Sequence, residues 1–95
     1  MEISTNINTV TITGNIKKVS DFKEIKDSIE PLIQRNKNLT IKILDSLSLT
    51  STTIGYLNKL VLKDGVNIQM LVGDDQLLEL LEDLNLATTF KARKI

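Results

Sequence analysis

The reading of the fold turns on residues 39 to 72. Leu39-Thr40-Ile41-Lys42-Ile43-Leu44 and Val66-Asn67-Ile68-Gln69-Met70-Leu71-Val72 are apolar runs of strand length. Between them, within Ser51 to Lys63, Ile54, Leu57, Leu60 and Val61 recur at the three- and four-residue spacing of one helix face. Asp64-Gly65 stops that segment, because glycine enters the left-handed region freely. Strand, helix and strand in this order form a crossover unit, which predicts parallel strands joined right-handedly.

The same alternation extends both ways. Upstream, Val10 and Ile12 alternate with Thr9, Thr11 and Thr13, and Gly14-Asn15 turns the chain. Ile3 and Ile7 suggest an earlier edge strand, which would make the sheet mixed. Ser20-Asp21 offers an N-cap for a helix carrying Phe22, Ile25, Ile29, Leu32 and Ile33, closed by Asn36-Lys37-Asn38. Pro31 lies inside this pattern and predicts a kink or an early end. Downstream, Gly73-Asp74-Asp75 leads into a leucine-dense helix with Leu77, Leu78, Leu80, Leu81 and Leu84. Leu86 and Phe90 then lead to a short terminal strand or coil. The expected fold is α/β: about four strands in a mixed, mostly parallel sheet, with helices packed on it, in a single domain over residues 1–95. Ile41, Ile43 and Ile68 should lie in the central sheet under helices bearing Ile25, Leu57 and Leu81.

Composition narrows the function. Lysine plus arginine equals aspartate plus glutamate at 12 each, so no net charge draws the chain to nucleic acid or an anionic membrane. Phe22, Tyr56 and Phe90 are the only aromatics, too few for a base-stacking platform. Without cysteine there is no disulfide or thiolate metal site, and without histidine the commonest metal ligand and neutral-pH base is missing. No nucleophile–base pair, phosphate-binding glycine loop or metal constellation is visible. Met1 to Asn8 lacks the apolar run of a signal peptide, and no stretch has the roughly 20 apolar residues of a membrane span. The expectation is a cytoplasmic domain without cofactor, membrane insertion or enzymatic activity.

Several segments, in order, resemble the STAS domains typified by bacterial anti-sigma factor antagonists. Val10-Thr11-Ile12-Thr13-Gly14-Asn15-Ile16 is similar to that family's opening strand and glycine. Ile41-Lys42-Ile43-Leu44-Asp45 is similar to its central strand ending in aspartate. Thr50-Ser51-Thr52-Thr53-Ile54-Gly55-Tyr56-Leu57 resembles the signature loop and helix, often Asp-Ser-Ser-Gly-Leu-Gly. Leu77 to Leu81, then Leu84-Asn85-Leu86 and Phe90, resemble the late helix and the strand after it. The departures are Thr50 for the signature aspartate, Thr53 for its first glycine, a loop about three residues shorter, and a chain ending where the family adds a last helix.

The resemblance implies a protein-interaction domain. Its partner would be an anti-sigma factor or serine kinase, docking at the loop and helix start around Ser51. A phosphate on Ser51, or on Thr52 as the weaker candidate, would act as the switch. The predicted contact surface is Asp45, Ser46, Ser48, Thr50, Ser51, Thr52 and Thr53. The alternative is a constitutive, unphosphorylated subunit of a larger assembly such as a transporter complex. The structural readings of these residues are blander. Ser51 would cap the helix, Asp45 would cap a loop, and Gly55 would let the helix pack closely on the sheet. Asp74-Asp75 with Glu79, Glu82 and Asp83 lacks the spacing of a calcium loop and fits a helix start and a solvated face. Lys91, Arg93 and Lys94 form a basic tail too short for nucleic acid. The leucine stripe should pack on the sheet, with homodimerisation as its use if part of it is exposed.

Overall fold

The computed structural model describes residues 1–95. The elements, in chain order, are β1 (Glu2–Asn6), β2 (Thr9–Thr13), α1 (Val19–Arg35), β3 (Asn38–Ile43), α2 (Ser51–Leu62), β4 (Asn67–Val72), α3 (Asp75–Asp83) and β5 (Arg93–Lys94). The sheet has five strands rather than about four, and its spatial order β1-β2-β3-β4-β5 repeats the chain order. β1 pairs antiparallel with β2, and every later pair is parallel.

Each crossover steps one strand in the same direction, so right-handed connections place all three helices on one face. The residue pattern matches. Val10, Ile12, Leu39, Ile41, Ile43, Ile68, Met70 and Val72 are buried and pair in register, Ile41 with Val10 and Met70, Ile43 with Ile12 and Val72. They meet Ile25, Ile29, Leu57, Leu60, Leu77 and Leu81 in one core. Ile41, Ile43 and Ile68 therefore lie under helices carrying Ile25, Leu57 and Leu81, as the spacing predicts. The other face is mostly polar, with Leu71 beside Lys42 as an apolar member. Thr9, Thr11, Thr40, Lys42 and Gln69 form cross-strand neighbours there, and no helix covers them.

One helix boundary differs from expectation, while α1 closes at Asn36 as the sequence predicts. α1 starts at Val19 with Lys18 as N-cap, not at Ser20-Asp21. Asp21 instead folds back, its Oδ2 accepting from the amides of Lys17 and Lys18 at 2.9 Å each. α1 also continues through Pro31 to Arg35. Pro31 is exposed, so the Asp27 carbonyl it leaves unpaired lies on the solvated side. α3 ends as a Schellman motif with Asn85 left-handed at φ +59°. The Leu86 amide reaches the Leu81 carbonyl at 2.8 Å, and the Asn85 amide reaches Glu82 at 3.0 Å.

Gly73 marks the closest approach in the sheet. Its amide donates to the Ile43 carbonyl at 2.8 Å, and a Cβ there would sit 2.0 Å from the Leu44 carbonyl oxygen. Only glycine fits where β4 leaves the sheet beside the end of β3.

Candidate functional site

The parallel strands end at one edge of the molecule, where the three helices begin. In open α/β sheets sites gather at this edge. Here the loop from Leu44 to Thr50 is fixed by hydrogen bonds to the segment after β2. Asp45 Oδ1 accepts from the Gly14 amide at 2.6 Å. Asn15 Oδ1 accepts from the Leu47 amide at 3.0 Å. Ser46 Oγ accepts from the Ile16 amide at 3.1 Å and donates to the Ser48 carbonyl at 2.7 Å. Leu49 is buried beneath the loop. The loop is therefore a braced platform, and Asp45 caps the neighbouring turn.

The start of α2 is organised by threonine. Thr50 is the N-cap, its Oγ1 accepting from the Thr53 amide at 3.2 Å and lying 2.8 Å from Thr53 Oγ1. Ser51 is the first helical residue and does not cap, so the capping role expected of it belongs to Thr50. The predicted contact surface is also divided. Ser46 and Thr53 are buried and hydrogen-bonded within the chain, too deep to touch a partner. Ser48, Ser51 and Thr52 are exposed, Thr50 is half-buried, and Asp45 is exposed with one oxygen engaged. Ser51 and Thr52 stand on the first turn.

Gly55 follows one turn after Ser51. It is exposed, and a Cβ there would meet nothing within 4 Å. Close packing on the sheet, expected from the sequence, is not its role. Sheet contact falls to Thr53, Tyr56, Leu57 and Leu60, which point the other way. Tyr56 ties α2 to α1. Its ring meets Phe22 edge-to-face at 5.6 Å and 79°, and its hydroxyl donates to Glu30. Burial and the adjacent Glu30 carboxylate push the phenol far above its ordinary range.

The structure adds three residues that sequence reasoning passed over. Lys17, Lys18 and Val19 join Phe22, Thr50 and Thr52 around a hollow of about 80 Å³ between the starts of α1 and α2. A Lys-Lys pair just before a helix was a visible signal, but only the parallel order of β2 and β3 brings it beside Thr52. No three cysteine, histidine or acidic side chains converge to hold a metal. Asp74, first of the acidic residues along α3, caps that helix, accepting from the amides of Gln76 and Leu77 at 2.8 and 3.2 Å. No helix is long and apolar enough to cross a membrane.

No protein-family model, curated protein or solved structure matches this chain.

Proposed function

We propose that this chain is a non-catalytic, cytoplasmic interaction domain of the STAS kind, an anti-sigma factor antagonist-like regulator. Its partner, a serine kinase or anti-sigma factor, docks on the first turn of α2 and the braced loop before it. The observation that carries this reading is the exposed Ser51–Thr52 pair on a turn whose cap is supplied by Thr50. A group added to Ser51 would leave the cap intact. Phosphate adds about −1.5 to −2 charges at neutral pH, which a helix start tolerates and a desolvated contact does not. Gly55 supports the same surface, since it leaves α2 flat one turn further on.

The test uses extract of the source cells with ATP. Mass spectrometry should find phosphate on Ser51, and the immobilised chain should capture its kinase partner. Ser51→Asp should fold like the parent yet lose capture by about tenfold or more, the effect of an unpaired charge in an interface. Ser51→Ala should retain capture and stay within about 0.5 kcal/mol in stability. Thr50→Ala should cost about 1 kcal/mol through the lost cap. Undiminished capture by Ser51→Asp, with no phosphate on Ser51, would replace switching by constitutive assembly.

A further inference from the structure

α3 has two distinct sides. Leu77 and Leu81 are fully buried in the core. Gln76, Glu79, Leu80 and Asp83 follow one another at i, i+3, i+4 and i+7, one stripe along the helix. That stripe faces Leu47 and Ser48 of the β3–α2 loop across a groove of about 350 Å³. Its apolar lining is Leu80 and Leu47, the latter 44% exposed. Its charged lining is Glu79 and Asp83, one turn apart, with no lysine or arginine among the lining residues.

These carboxylates lack counter-charges. The ion pairs of the structure are Lys23–Asp27, Lys59–Asp64 and Lys94–Asp75, and none reaches Glu79 or Asp83. The chain as a whole is neutral, so this is a local negative field beside exposed leucine and not a reflection of an acidic protein. A nucleic acid or anionic membrane surface would be repelled. α1, which carries Lys23, Lys26 and Arg35, has buried its apolar side and interleaves its lysines with Glu24 and Asp27, so it does not supply such a basic face to a second copy.

We propose that this groove receives a basic amphipathic helix of a protein partner. Apolar anchors at i, i+3 and i+4 enter between Leu47 and Leu80, and flanking lysine or arginine side chains meet Glu79 and Asp83. The groove shares Leu47 and Ser48 with the braced loop but needs neither Ser51 nor its phosphate, so variants of Ser51 and of Glu79 and Asp83 separate the two surfaces.

The probe is a fluorescein-labelled peptide of roughly 18 residues, five helical turns, made of leucine and lysine with leucines at i, i+3, i+4 and i+7. A scrambled peptide of the same composition and a leucine–glutamate peptide of the same pattern are the controls. Anisotropy should show the patterned lysine peptide binding at least about tenfold more tightly than either control. Amide shifts in NMR spectra should cluster on Leu47, Ser48 and Gln76 to Asp83. The double variant Glu79→Lys, Asp83→Lys changes two exposed side chains and should keep the parent's circular dichroism. It should lose the lysine peptide by about tenfold and gain the glutamate peptide. Ser51→Asp should bind the lysine peptide like the parent. The proposal is overturned if the lysine peptide does not bind, if the scrambled peptide binds as well, if the shifts fall elsewhere, or if charge reversal leaves the preference unchanged.

Discussion

Gly55 occupies a helix position where alanine would be favoured by about 1 kcal/mol. Nothing in the structure needs the missing side chain, since the space around it is open. Gly55→Ala should therefore raise the free energy of unfolding by about 0.5–1 kcal/mol in urea titration. On the proposed function the same variant should weaken partner capture, because the added methyl stands on the docking surface. A variant that is both less stable and unchanged in capture would count against this account of the surface. The exposure was legible by angle. Ile54, Leu57, Leu60 and Val61 define the inner side of α2, and Ser51, Gly55 and Lys59 recur every four residues away from it. A mid-helix glycine on that outer side does not bring the helix closer to the sheet. The burial of Ser46 was not legible, because it depends on a segment 30 residues away, through the Ile16 amide, whereas Thr53 lies at i−4 and i−7 from Leu57 and Leu60 on the buried side of α2.

Among the elements, those that bury a full stripe or alternate strictly were readable: β2, β3, β4, α2 and α3. At the margin the reading is coarser: the edge strand suggested by Ile3 and Ile7 is present as β1, but Ile7 lies in the turn after it. β1 shows only Ile3 half-buried, and its hairpin turn holds Ile7 at φ +54° where glycine would be expected. The start of α1 was misplaced because Asp21 acts from inside the helix. Its carboxylate accepts the Lys17 and Lys18 amides, and those bonds lower its pKa from the ordinary value of 3.8. The sign follows from linkage: a depressed folded-state value stabilises above pH 3.8, and that contribution is lost as pH falls through the lower folded value. Asp21→Asn should thus melt below the parent near neutral pH. The gap should narrow as pH drops below 3.8, a trend that thermal unfolding across an acid series would reveal. A gap that stays constant down to the acid limit would remove the charge from the explanation.

For the whole molecule, the far edge of the sheet depends on Phe90. β5 has only Arg93 and Lys94, yet Phe90 before it is fully buried and its carbonyl accepts from the Met70 amide at 3.0 Å. Phe90→Ala should cost about 3–5 kcal/mol, a large share of the stability of so small a domain. Urea unfolding would show it as a lower midpoint, and an unchanged midpoint would mean that the edge is held otherwise. The coincidence of spatial and chain order also bears on how the protein is made. A strand leaving the ribosome finds its predecessor already at the growing edge. No finished hydrogen-bonded pair has to part to admit a later arrival. Assembly can thus keep pace with synthesis from the amino end onward, with the β3–α2 loop taking its braced shape before the last third of the chain has emerged.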